Sequence, residues 1–178
     1  MNTYVALFRG INVGGKNALP MKELVAVFES LGARNIKTYI QSGNAIFQCS
    51  EKNISRFSNK IGIEIESRFG FSPQMVVLEL AEIEKVIANN PFKEAELLPD
   101  TLHVGFLATL PVKQDFSKLE SIKIQSERFL LIDKIFYLHA PEGFGRSKLA
   151  ANTERLIGVP MTFRNWRTLS KIREMAIP

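Results

Sequence analysis

The stretch GINVGGKN, residues 10–17, is one residue short of a phosphate-binding loop. That pattern requires Gly, four residues of any type, Gly, Lys, and then Ser or Thr, but the last position here is Asn17. In such loops the Lys and the hydroxyl residue begin a helix directly, so that backbone amides surround the phosphate. Pro20 delays the next predicted helix. We therefore expect Lys16 to lie in an irregular loop rather than in a Walker-type nucleotide site.

Two later stretches place basic residues where helices are predicted to begin. Arg146 and Lys148 fall near one helix start, and Arg164 and Arg167 flank another. Acidic residues are favoured at these positions because the helix N-terminus is partly positive, so basic residues there suit a bound anion. Two interpretations stay open: an anion site, or long side chains that extend into water. The candidate anion-binding residues are Arg9, Lys16, Arg146, Ser147, Lys148, Arg164, Asn165 and Arg167.

No catalytic or metal-binding constellation is evident from the sequence. The chain has two histidines and one cysteine, too few for a typical cluster of metal ligands, and we predict no cofactor. Cys49 follows an apolar strand and is expected to pack in the core. Trp166 shares a helical face with three apolar residues, which favours a core position over stacking on a base. Those residues are Leu169, Ile172 and Met175.

Composition and charge indicate a globular protein of one or two small domains. The chain has 178 residues, 46% of them hydrophobic, and no apolar run near the roughly 20 residues that span a bilayer. No basic segment precedes the first apolar stretch, so we expect a cytoplasmic protein without membrane association. The net charge is +5, and the whole excess comes from residues 143–178, which include seven basic and two acidic residues. This excess indicates either an anionic partner or a solvated basic surface.

Hydrophobic periodicity predicts the same order of elements twice. Each half has the pattern strand–helix–strand–strand–helix–strand followed by one more helix, with hairpin turns at Ser42-Gly43 and Asp133-Lys134. This is the order of a ferredoxin-like unit. We therefore predict an α+β fold of two tandem ferredoxin-like units, residues 1–90 and 100–178, related by internal duplication. The duplication is inferred from element order alone, because the residues are not visibly repeated.

Four stretches together resemble one bacterial family. They are ALFRGINVGGKNALPMKEL, TYIQSGNAIF, GRSKL and TFRNWRT, and their combination is similar to the family of domain of unknown function 1697. The resemblance extends from Tyr4 to about Met175. It implies a duplicated ferredoxin-like fold and implies no cofactor or catalytic residue. Its recognisable positions are mostly Gly and polar residues at strand ends and loops, where binding sites are commonly built.

Three functional hypotheses follow from these features. The first is binding of a phosphate-bearing ligand, either a nucleotide or nucleic acid, through the basic loop and helix-start residues. The second is an enzyme acting on a phosphorylated or carboxylated small molecule, with His139 or Lys16 transferring a proton. The third is a protein–protein interaction module with an acidic partner. The sequence does not distinguish a catalytic from a non-catalytic role and does not indicate an oligomeric state.

Overall fold

The computed structural model describes residues 1–177 and divides the chain into two compact units. The first unit comprises Met1–Glu84 together with Lys171–Pro178, and the second comprises Lys85–Ser170. Each unit has a four-stranded antiparallel sheet and the element order βαββαβ. The α+β fold of two tandem ferredoxin-like units is therefore confirmed. No helix within residues 1–177 is both long and apolar enough to cross a membrane.

In the first unit the strand order is β2-β3-β1-β4. Its elements are β1 (Asn2–Arg9), α1 (Met21–Ser30), β2 (Arg34–Tyr39), β3 (Asn44–Cys49), α2 (Ile54–Phe69), β4 (Gln74–Glu79) and α3 (Leu80–Ala88), which continues into the second unit. The central β1 pairs antiparallel with β3 and with β4. Because β2 is also antiparallel to β3, β1 and β2 run in the same direction and end at the same edge of the unit.

The core of the first unit is rich in aromatic rings. Phe47 on β3 lies 4.7 Å from the ring of Phe28 on α1 and 5.5 Å from that of Phe57 on α2, and all three are buried. Aromatic pairs at these distances add to the stabilisation that comes from burying their area. Cys49 is buried in the same core, as predicted.

In the second unit the strand order is β6-β7-β5-β8. Its elements are β5 (Leu102–Leu107), α4 (Phe116–Ile122), β6 (Arg128–Ile132), β7 (Ile135–His139), α5 (Lys148–Ile157), β8 (Met161–Asn165) and α6 (Trp166–Ala176), which ends in the first unit. Two short 3-10 helices, Lys93–Leu97 and Phe144–Arg146, precede β5 and α5 respectively. The hairpin turn predicted at Asp133 is confirmed, with this residue at a φ of 52°.

Two sequence predictions need correction in detail. The helix expected to start near Arg146 begins at Lys148, because Ser147 caps it and Arg146 belongs to the preceding 3-10 helix. No element is predicted for the residues between the two predicted units, 1–90 and 100–178, but they contain the 3-10 helix Lys93–Leu97. This short helix buries Ala95, and the buried Asn90 donates to Glu96 Oε1 at 2.8 Å, a hydrogen bond that holds the segment in its folded shape.

Candidate functional site

The motif residues of the first unit collect at the end of the sheet where β1 and β2 finish. The loop from β1 to α1 and the turn from β2 to β3 both lie there, because the two strands run in the same direction. We call the turn of residues 13–16 within the first loop the Lys16 turn. Arg9, the last residue of β1, is half-buried and pairs with Gln74 of β4.

Asn12 holds the loop between β1 and α1 in shape. Its Nδ2 donates to the carbonyl oxygens of Leu19 (2.8 Å) and Gln41 (2.9 Å), and its Oδ1 accepts from the Leu19 amide at 2.7 Å. The residue has a φ of 55°, a conformation that Asn tolerates better than most side chains. This motif residue therefore ties the loop to the β2–β3 turn, which is a structural role.

The Lys16 turn projects from this clamped loop. The Lys16 amide donates to the Val13 carbonyl at 3.0 Å, and both central residues, Gly14 and Gly15, have positive φ values of 59° and 74°. A side chain would be strained at such angles. The Lys16 side chain is exposed and has no partner within residues 1–177. Since α1 begins only at Met21, the expected irregular loop is confirmed.

We expect Asn12→Ala to lower the free energy of unfolding by about 2 kcal/mol, since three hydrogen bonds are lost and two of them lie in partly buried surroundings. Asn17→Ala is the matched control, because Asn17 also has a positive φ but makes a single side-chain bond, from Nδ2 to the Gly10 carbonyl. Urea unfolding followed by circular dichroism measures both. Equal losses of stability in the two variants would contradict the structural role of Asn12.

The motif residues of the second unit collect where β5 begins and β7 and β8 end. Leu102 lies opposite His139 on β7, and His103 lies opposite Asn165 on β8. The segment GFGRSK then leads from β7 into α5, and Arg167 lies in the first turn of α6. We call this group the α5 cluster, defined by His103, Phe144, Arg146, Ser147 and Lys148.

Ser147 is the N-cap of α5, and its Oγ accepts from the Ala150 amide at 2.9 Å. The neighbouring Arg146 and Lys148 are exposed, and within residues 1–177 neither side chain contacts a carboxylate. The first turn of α5 contains no acidic residue. The amides of Lys148 and Leu149 also have no acceptor in the described part of the chain. These groups leave the start of α5 positive and open to solvent.

Arg167 is engaged with a carboxylate. Its Nε and Nη2 donate to the two oxygens of Asp100 at 2.9 and 2.6 Å, and this bidentate pair is exposed. The hydrogen bond from Arg167 lowers the pKa of Asp100 below its usual value, against a small opposing effect of burial. Asn165 also has a structural partner, because its Oδ1 accepts from the Thr168 amide at 2.9 Å and caps α6.

Arg164 lies on the opposite face of β8 from Phe163, because successive strand residues alternate between faces. Phe163 packs 5.1 Å from Phe144, on the face that carries α5. The structure therefore does not place Arg164 on the same face of the sheet as the α5 cluster. Its Nη1 donates to the Phe163 carbonyl at 2.8 Å, and burial lowers the pKa of its guanidinium to about 10.

His103 was not singled out from the sequence, yet it packs against the segment that leads into α5. Its ring stacks on that of Phe144 with 4.1 Å between centroids, and within residues 1–177 its buried Nδ1 has no hydrogen-bond partner. Burial lowers the pKa of His103 to about 4, and the Thr101 backbone and the Asp100 carboxylate offset this only in part. His103 is therefore neutral at pH 7.

His139, the predicted proton-transfer group, lies in a separate cluster. Arg128 Nη2 is 3.0 Å from His139 Nδ1 and forms an ion pair with Glu94. Arg128 Cζ lies 4.7 Å from the centroid of the Phe92 ring. Because a guanidinium only donates, Nδ1 of His139 accepts and the neutral ring carries its proton on Nε2. Burial, and then the charge of Arg128, lower the pKa of His139. In this arrangement neither ring nitrogen of His139 has a free lone pair with which to act as a general base.

Trp166 is buried, 4% exposed, as the helical pattern predicted. It opens α6 directly after β8, and Leu169 and Ile172 on the same helical face are also buried. A buried indole cannot stack on a ligand base, so Trp166 serves the core.

The protein has two tandem ferredoxin-like units, and its polar motif residues cluster at the ends of strands. The chain belongs to the family described as "Protein of unknown function (DUF1697)", which matches residues 1–137 and confirms the resemblance. The chain is similar to the conserved bacterial protein SP0830 from Streptococcus pneumoniae, with 27% identity and a TM-score of 0.76 over 99% of each chain. No functionally curated protein matches the sequence significantly.

Proposed function

We propose that this protein binds a phosphate-bearing ligand, a nucleotide or nucleic acid, at the start of α5. The observation that carries the proposal is that Arg146 and Lys148 are exposed on either side of the capping Ser147. Within the described residues neither has a carboxylate partner. The two amides at the start of the helix, those of Lys148 and Leu149, supply further donors for phosphate oxygens.

The other basic candidates support this site to different degrees. Arg167 already forms a bidentate pair with Asp100, so an anion would compete with that carboxylate. Arg164 is on the other face of β8 and is largely withdrawn from water. Arg9 and Lys16 belong to the first unit, and a role for them in binding anions stays a separate prediction. The proposal therefore rests on Arg146, Ser147 and Lys148.

We expect inorganic phosphate and ATP to raise the melting temperature of the protein and the double variant Arg146→Ala/Lys148→Ala to abolish this rise. A ligand at 100 times its Kd stabilises the folded state by about 2.7 kcal/mol, which is readily seen in a thermal-shift assay. Without ligand the variant should melt within a few degrees of the parent, because exposed charges contribute about 0–1 kcal/mol to stability.

The matched control is Arg173→Ala, which removes an exposed basic side chain from the last turn of α6. This variant should keep the full phosphate-dependent rise. The proposal fails if phosphate and ATP do not shift the parent protein, or if the double variant shifts as much as the Arg173 control.

A further inference from the structure

We propose that the exposed face of α5 binds the phosphate backbone of double-stranded nucleic acid. This inference rests on the proposed function, because it extends the anion site at the start of α5 along the helix. It names the partner as a polyanion that contacts several basic groups at once. The surface is defined by Arg146, Lys148, Asn152 and Arg155.

Helix geometry places the three groups that lie on α5, Lys148, Asn152 and Arg155, in one row. Lys148 and Arg155 are seven residues apart, close to two full turns, so both project from the same face about 10 Å apart along the axis. The opposite face of α5 is buried in the core through Leu149, Thr153 and Ile157. Arg146 lies in the 3-10 helix before the N-cap, two residues before Lys148, and is also exposed. Lys148 and Arg155 are exposed and Asn152 is half-buried, so both charged groups of the row face solvent.

No carboxylate neutralises this row among the described residues. Nη2 of Arg155 donates to Asn152 Oδ1 at 2.9 Å, and Nδ2 of Asn152 donates to the Lys148 carbonyl at 2.8 Å. The amide of Asn152 is neutral, so it orients Arg155 without cancelling its charge. The one acidic residue of α5, Glu154, accepts from the Met161 amide at the start of β8. Its carboxylate is thus directed toward the start of β8.

The two cations of the row together with Arg146 match a polyanion better than a single phosphate. Duplex DNA carries one negative charge per about 1.7 Å of its axis, so a span of about 10 Å faces several phosphates. A phosphate bound at the start of α5 lies about two turns from Arg155. Single-strand binders use exposed aromatic rings to stack bases, and neither the exposed positions 148, 151 and 155 nor the half-buried position 152 has one. The surface fits sequence-independent contact with a duplex backbone.

The test is the salt dependence of binding to a labelled 20-base-pair duplex, measured by fluorescence anisotropy. Three phosphate contacts give a slope of about −2.7 in a plot of log affinity against log salt, which is roughly a 40-fold loss between 50 and 200 mM. Arg155→Ala should reduce the slope by about 0.9. Arg173→Ala, the same change on an exposed part of α6, should leave it unchanged. Phosphate stabilisation should persist in the Arg155 variant.

The outcomes separate this inference from the proposed function. If the duplex does not bind at 50 mM salt, or if Arg155→Ala and Arg173→Ala give the same slope, the duplex surface is overturned. The phosphate site at Arg146 and Lys148 would still stand if the thermal-shift experiment succeeds. If phosphate and ATP give no stabilisation, the proposed function fails and this inference fails with it.

Discussion

Gly43→Ala is expected to lower the free energy of unfolding by about 2–6 kcal/mol. A Cβ at this position would lie 2.5 Å from Ile11 Cδ1 and 2.7 Å from Phe8 Cβ, both in the buried core of the first unit. Gly43 also has a φ of 81°, and its carbonyl accepts from the Phe8 amide at 2.8 Å. The cost therefore combines backbone strain of about 1–3 kcal/mol with overpacking of about 1–3 kcal/mol.

Gly15→Ala separates these two contributions. Gly15 has a similar φ of 74°, but a Cβ there would meet no atom within 4 Å. This variant should lose only the strain contribution, about 1 kcal/mol or slightly more. Urea titration monitored by circular dichroism compares the two variants. A Gly43 variant as stable as the Gly15 variant would show that the contact with Ile11 and Phe8 relaxes without cost.

The second prediction with a large expected effect concerns the stability of the protein at low pH. Lowering the pH from 7 to 4 should destabilise the protein by about 3 kcal/mol through His103 alone, because its pKa is about 4 when folded and about 6.5 when unfolded. The unfolded chain binds more protons than the folded chain between these values, so acid favours unfolding. Above about pH 6.5 both states are neutral at this position and the contribution to stability is complete.

His103→Phe should flatten this part of the pH dependence. Phenylalanine keeps a flat ring against Phe144 and cannot take up a proton in the apolar surroundings. His139→Gln is the control, since it removes the other histidine and should retain the loss assigned to His103. NMR titration of the imidazole signals in the His139 variant should give a pKa near 4. A value near 6.5, or parallel pH profiles for the parent and the His103 variant, would contradict the assignment.

Much of the fold could be predicted from local signals in the sequence. Apolar runs and turn residues indicated the strands of both units, and the strand β3 (Asn44–Cys49) begins directly after the predicted turn at Ser42-Gly43. The asparagine N-cap of α2 and the serine N-cap of α5 are local features as well. The 3-10 helix Lys93–Leu97 was missed because Pro91 and the polar neighbouring residues are typical of a linker.

The candidate site was harder to predict from the sequence, because its contacts join residues that are far apart in the chain. Arg167 and Asp100 are separated by 67 positions, and no local pattern predicts their pair. The stack of His103 on Phe144 depends on how β5 aligns with the segment before α5, which pairing within the sheet decides. The position of Arg164 was more predictable, since strand alternation alone puts it on the face opposite Phe163.

The helix α6 has a consequence for synthesis of the chain. The first unit includes Lys171–Pro178, which follow the entire second unit in the sequence, and Lys37 Nζ on β2 donates to the Met175 carbonyl at 2.8 Å. The aromatic core of the first unit lies within residues 4–77 and can assemble early during translation. Its final helical segment, however, leaves the ribosome only after all of β5 to β8. The first unit therefore cannot be completed before the whole of the second unit has been synthesised.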